Sequence, residues 1–462
     1  MRLLLRREDI NPDMPDDLGR TPILLAAEDG HEAVVKLLSG RRDVNPNRLD
    51  GRGQAPLSQA AKNGDVGVVK LLIGREDINP DIPDDLGRTP ISWAVEYRCR
   101  EVVELLLGRK EVDPNRPDND GHTLILRATM NRDEGMVRLL LRRGDINHDI
   151  PDDFGRTPIS IAAQDGHEPM IKLLLAQGGF NPNWSDNFGR TLIMRATMNR
   201  HQGMVRWLLR GEDINPDIPD ELGRTPISWA IKYGLMGVVE LLLGRGDVNP
   251  NRPNTDGQTL ILRATMNRQE RMVRLLLARE DTNPDIPDSI GRTPISWAKH
   301  GHEAMVRLLL ARQDVNPNRQ GNDGKTLISR AAMNGHEGVV RLLLRREDIK
   351  PDMPDDFGRT PISLAAEYGH ESLVKLLLER EDINPDKRDD GWSRPPILWA
   401  AENGYWEVVR LFLEREDVNP NRPDLCGLTV HSYVDRGRDH HVTRLIRDLK
   451  TIPPPPSYSK KK

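Results

Sequence analysis

The side chains best suited to recognition in this chain of 462 residues form a ladder at nearly fixed spacing: Trp93, Arg127, Ile161, Arg195, Trp229, Arg263, Trp297, Arg330, Leu364 and Trp399. Four residues beyond these positions, or nearly so, stand Tyr97, Asn131, Asp165, Asn199, Tyr233, Asn267, Asn334, Tyr368 and Asn403. Half of the eight tryptophans and half of the six tyrosines fall on these two rows, in a chain only 4% aromatic. Trp, Tyr and Arg are the residues most enriched where proteins grip one another, so the ladder is the candidate partner-binding surface. A structural reading stands beside it: each arginine stacks on a neighbouring tryptophan, adding about 0.5–1 kcal/mol where exposed.

Catalytic chemistry is harder to find. The chain has no phosphate-cradling G-x-x-x-x-G-K-[ST], no H-E-x-x-H and no G-x-S-x-G nucleophile elbow. Cys99 has no evident histidine partner and reads as a tolerated surface thiol. His440 and His441 read as the polar face of a terminal unit. Acidic stretches such as Asp217-Ile218-Pro219-Asp220-Glu221 lack the ordered spacing and central glycine of a calcium loop, and read as solvated turns. The sequence therefore predicts no enzyme, no metal and no cofactor.

Composition narrows the partner. Sixty-seven Lys and Arg against 71 Asp and Glu leave a net charge of −4, which supplies no basic field for nucleic-acid phosphates. Two cysteines make no disulfide framework. No apolar run approaches the ~18 residues that span a bilayer, and the charged start MRLLLRR does not read as a signal peptide. These features predict a soluble intracellular protein, cytoplasmic or nuclear, that binds neither nucleic acid nor membrane.

The elements that carry the ladder are set by a strict period. Gly19, Gly53, Gly87, Gly121, Gly155, Gly189, Gly223, Gly257, Gly291, Gly324 and Gly358 are 34 residues apart except for a single interval of 33. Such self-similarity predicts a solenoid. In the unit from Gly87, the glycine gives a turn, Thr89 caps a helix and Pro90 suits its first position. Ile91, Ala94 and Val95 share one side of that helix. A second helix near Glu101 carries Val102, Val103, Leu105, Leu106 and Leu107, and Asp113 to Asp120 form an extended finger. At 100° per residue, the ladder position lies near 200° from the core isoleucine, which predicts that it points outward. A second period of about 68 residues is superimposed, because units carrying TPIS alternate with units carrying TLI.

Thr157-Pro158-Ile159-Ser160-Ile161-Ala162-Ala163-Gln164-Asp165-Gly166-His167 and its counterpart from Thr360 to His370 resemble the ankyrin repeat, whose signature is T-P-L-H-x-A. The resemblance implies an all-α repeat solenoid, a curved stack of helix-turn-helix units with projecting hairpin fingers. It implies a non-catalytic scaffold that binds partner proteins through its concave groove and fingers. The signature histidine is Ser here (Ser92, Ser160, Ser228) or aliphatic (Leu126, Met194), and Gly-Ala-Asp after the second helix becomes Arg-Glu-Asp or a relative. This variant resembles arrays in large proteins of filamentous fungi. Arg98, Arg132, Arg200 and Arg268 replace a turn glycine and predict looser turns.

Residues 1–18 read as a partial repeat, 19–426 as twelve repeats, 427–450 as a capping repeat and 451–462 as a disordered Pro/Lys-rich tail. Because the chain starts midway through a repeat, the alternative reading is the sensor segment of a larger protein whose enzymatic or nucleotide-binding domain lies upstream of Met1. In the tail, Pro455-Pro456-Ser457-Tyr458 resembles the PPxY ligand of WW domains. That resemblance implies a WW-domain partner, with a plain extended tail as the competing reading.

Overall fold

The computed structural model describes residues 11–178, 181–297 and 302–436. The capping residues His440 and His441 and the tail residues Pro455, Pro456 and Tyr458 lie outside them. Among the described residues there are 25 helices and no strand beyond one isolated bridge, Ser185 with Thr191. None of these helices is long and apolar enough to cross a membrane. The chain divides into two units, Met1–Val248 and Asn249–Lys462. The first holds seven helix pairs, and the second holds five pairs and a further helix, Val430–Arg436.

One pair shows why the sequence folds this way. The first helix, Pro90–Glu96, starts where Thr89 and Ser92 close a reciprocal capping box and Pro90 fills a position needing no backbone donor. Tyr97 ends the helix, and the chain turns through Arg98 in the left-handed region at φ 61°. The second helix, Arg100–Leu107, buries Val102, Val103 and Leu106 on one stripe. Gly30, Gly64, Gly166 and Gly234 hold the same turn at φ 68–75°, whereas Arg98, Arg132, Arg200 and Arg268 do so at 54–63°. The expected loosening does not occur. Cys99 N donates to Ala94 O at 2.8 Å, as His31 N does to Ala26 O at 2.8 Å. The arginines therefore keep the glycine geometry and bear its strain.

Within each unit, first helices pack on first helices and second helices on second helices. A first helix thus has neighbours on both sides, its own second helix beneath and its finger above. Ile91 through Val95 are all buried, with no outward stripe left between them.

A staple joins consecutive second helices. Arg75 Nη1 donates to the carbonyls of Ser39 (2.7 Å) and Arg41 (3.0 Å), and Nη2 to that of Val44 (3.1 Å). Asp77 orients the guanidinium through Oδ1 and Oδ2 at 2.8 and 2.7 Å. The same Arg-x-Asp recurs with Arg143, Arg245, Arg312, Arg346, Arg380 and Arg415, each reaching a carbonyl of the preceding repeat. Helix C-termini leave carbonyls without intrahelical partners. The Arg-Glu-Asp departure supplies their donor.

Candidate recognition surface

The ladder is built from the finger upward. Three residues before its marker glycine, Asp84 accepts the N–H groups of Leu86 and Arg88, both at 2.9 Å, on Oδ1. Its Oδ2 accepts Trp93 Nε1 at 3.0 Å and Gln54 Nε2 at 2.7 Å. Arg88 lies 3.6 Å above the Trp93 ring, with its Nε 3.5 Å from the same carboxylate. Asp84 is buried, as are Asp118, Asp152, Asp186, Asp220, Asp288, Asp355, Asp389 and Asp424 at equivalent positions. A buried carboxylate is tolerable when it is hydrogen-bonded and paired: all of these are hydrogen-bonded, and all but Asp389, which is held by Trp392 N and Trp399 Nε1, pair with an arginine. These aspartates are thus not the solvated turn residues that the sequence suggested.

This finger overturns the outward placement of the ladder. Trp93, Trp229 and Arg195 are only 7%, 5% and 6% exposed. Trp297, Trp399, Arg127, Arg263 and Arg330 are half-buried. The helical angle is as expected, but the finger folds back over that side and nine residues separate carboxylate from ladder side chain. Trp229 Nε1 donates to Asp220 at 3.3 Å and Trp399 Nε1 to Asp389 at 2.8 Å. In alternate units an arginine takes over: Arg127 bonds Asp118 and Glu96, and Arg195 bonds Asp186 and Gln164. Arg330 reaches Asp323, because Gly321 stands where the finger aspartate would be. Where the ladder residue is apolar, as at Ile161 and Leu364, the arginine after the glycine suffices: Arg156 and Arg359 bind Asp152 and Asp355. The tryptophan rings are covered by their own unit's arginine, Arg224 at 4.2 Å from Trp229 and Arg292 at 4.7 Å from Trp297.

The last ladder position is Tyr433. Its hydroxyl donates to Asp424 at 3.1 Å and accepts from Arg394 at 2.8 Å. Burial and the bond to Asp424 push its pKa up to about 12. Asp424 itself, although burial raises it, is held below the usual carboxylate range by the Leu428 N–H, Arg394 and Tyr433.

The tyrosine row lies farther out than the ladder. Tyr97 and Tyr368 are 51% and 47% exposed, and Tyr233 is half-buried. Tyr233 stacks on Trp229 with centroids 5.6 Å apart, and Tyr97 leans on Trp93 at 5.9 Å. Lys232 Nζ lies 4.5 Å from the Trp229 ring and 5.7 Å from Tyr233.

Sequence reasoning missed the fingertips. Leu18, Leu86, Phe154, Phe188 and Leu222 in the first unit stand 45–59% exposed, each just before a marker glycine. Their position two residues after the finger aspartate was the available signal. Asp118, Asp120 and His122 could together approach a metal ion, but Asp118 is committed to Arg127. The Cys99 thiol is pushed up by burial and by Asp65, which opposes thiolate chemistry.

Paired short helices, buried finger carboxylates and exposed tips define a helical repeat protein. A family model described as ankyrin repeats in three copies matches ten overlapping windows that together run from residue 1 to residue 424. The chain belongs to the ankyrin repeat family, whose members generally mediate protein–protein interactions. No curated protein matches it. Among solved structures it is similar to the ankyrin repeat domain of Bcl-3, described as a unique member of the IkappaB protein family. The identity is 26% and the TM-score 0.45, over 49% of this chain and 99% of that one.

Proposed function

We propose that this chain is a non-catalytic, intracellular scaffold that binds partner proteins through the face formed by its first helices and fingers. The observation that carries this reading is the division of labour within each unit. At Trp93 and Trp229 the finger carboxylate and the ladder residue lock each other in place, beside Leu364 the lock runs from Asp355 to Arg359, and the adjoining tyrosines and fingertips are presented to solvent. A pre-ordered surface loses little entropy on binding. Among the residues read as partner-binding, Tyr97, Tyr233 and Tyr368 make direct contact. Trp93, Arg127, Arg195, Trp229, Arg263, Trp297, Arg330 and Trp399 act as their supports.

Proximity labelling with the full-length chain identifies the partners. The Tyr97→Ala/Tyr368→Ala variant is expected to lose labelled partners without a change in melting temperature. An unchanged partner set in that variant would sink the assignment to this face, and the absence of any reproducible partner would sink the scaffold reading itself.

A further inference from the structure

The fingertips of the first unit carry more information than exposure alone. The residue before each apolar tip is an exposed carboxylate in four of five cases: Asp17 beside Leu18, Asp85 beside Leu86, Asp153 beside Phe154 and Glu221 beside Leu222. None of these four carboxylates is in an ion pair among the described residues. The neighbouring arginines are occupied elsewhere, since Arg88, Arg156 and Arg224 pair with the buried finger aspartates and Arg20 with the exposed Asp16. Apart from the exposed Arg52 and Asn187, the row is therefore apolar and acidic.

Its spacing is fixed by the backbone. Gly51 N donates to Leu18 O at 2.9 Å, Asn119 N to Leu86 O at 3.0 Å and Asn187 N to Phe154 O at 3.1 Å. A Cβ on Gly87 or Gly189 would sit 2.9 Å from the backbone nitrogen of the next finger. Each tip is thus tied to its neighbour and cannot retract to bury its side chain. Arg52 and Asp120 separate Leu18, Leu86 and Phe154, so these apolar tips recur every second repeat.

We infer that this fingertip row binds an extended polypeptide segment in which apolar side chains alternate with Lys or Arg. The inference rests on the scaffold reading above and names the chemistry of one partner. Packed helices are ~8–10 Å apart, so two repeats span about 16–20 Å. An extended chain rises ~3.3 Å per residue, which sets the apolar anchors about five or six residues apart with basic residues between them. The exposed carboxylates give charge complementarity, which steers encounter and rejects acidic segments.

The probe is a synthetic peptide of about 24 residues, repeated blocks of Leu-Lys-Ser-Gly-Ser-Lys, titrated by fluorescence anisotropy against the full-length chain. It is expected to bind about tenfold or more tightly than its Lys→Glu counterpart. Asp17→Lys/Asp85→Lys/Asp153→Lys/Glu221→Lys is expected to remove that preference, and Leu86→Ser/Phe154→Ser/Leu222→Ser to weaken binding of the basic peptide. All these side chains are exposed, and the milder Asp85→Asn/Asp153→Asn variant, checked by melting temperature, serves if the fourfold variant does not fold. Equal or absent binding of the two peptides overturns the inference. So does binding unchanged by charge reversal, or self-association of the chain that the tip variant abolishes, which would make a second copy the occupant. Any of these leaves the scaffold reading standing, because labelled partners decide that.

Discussion

At the scale of the residue, the central pair is finger aspartate and ladder side chain. Trp229→Ala removes a nearly buried indole and leaves the Asp220 carboxylate short of a donor. Large-to-small core changes of this kind cost about 3–5 kcal/mol, and a lowered urea midpoint is the expected result. Trp229→Phe keeps most of the packing and loses only the N–H, at about 1 kcal/mol. The turn arginines offer a change of opposite sign. Arg268 holds φ 57°, a conformation costing non-glycine residues about 1–2 kcal/mol. Arg268→Gly is therefore expected to raise the melting temperature, although glycine's freer unfolded chain takes back part of the gain.

What the sequence made legible follows from range. Thr89, Pro90, Ile91 and Ala94 declared the first helix because capping and core spacing act within one turn. Val102, Val103 and Leu106 declared the second for the same reason. The placement of Trp93 depends on Asp84, across a turn whose path the helical angle does not contain. Angle alone therefore sent the ladder into solvent. Fingers read as polar loops hid both their buried carboxylates and their exposed apolar tips, because composition averages over two residues with opposite surroundings.

At the scale of the element, the Arg-x-Asp staple explains an uneven stack within the first unit. Gln177 and Gly211 occupy the staple column in two successive repeats. There a cavity of about 410 Å³ lies among Leu175, Pro182, Leu192, Trp207, Leu208 and Ile214. Gly211→Arg recreates Arg-Glu-Asp-Ile with Glu212, Asp213 and Ile214. A charged hydrogen bond to a helix carboxyl end contributes about 1.5–3 kcal/mol. The variant is expected to unfold at higher urea and to slow amide exchange over 175–214, and Arg75→Ala to do the reverse at its own repeat. Fingers carry a second inter-repeat contact: Arg116 with Asp81 at 3.4 Å and Arg319 with Asp285 at 2.9 Å. Burial raises Asp81 and Asp285 above the usual carboxylate range, although their arginines oppose it. A carboxyl whose folded pKa is raised contributes its stability below the unfolded pKa and loses it as pH rises through the folded one. Asp81→Asn is thus expected to gain stability relative to the native chain as pH rises above about 4, the unfolded value, measured by urea midpoints.

At the scale of the whole molecule, the inter-repeat hydrogen bonds among the described residues of each unit run between adjacent repeats, so stability is a sum of local terms. Denaturation need not then be a single cooperative step. The expected order within the first unit places residues 175–214 first, where two staples are missing, and hydrogen exchange resolved by segment measures it. Delayed exchange in that segment relative to residues 56–107 would contradict the staple's role.

Among the described residues, the inter-repeat hydrogen bonds span 29 to 39 residues, as from Trp184 to Gly155, Arg75 to Ser39 and Arg394 to Tyr433. Their register makes the pair of repeats an exchangeable cassette. Excising residues 155–222 joins Asp152-Asp153-Phe154 to Gly223-Arg224-Thr225, which restores the native finger phrase and removes the cavity with both unstapled repeats. Recombination between copies can therefore lengthen or shorten this protein without a new interface having to be invented. Its length is open to selection in steps of one cassette, and with it the number of fingertips offered to a partner.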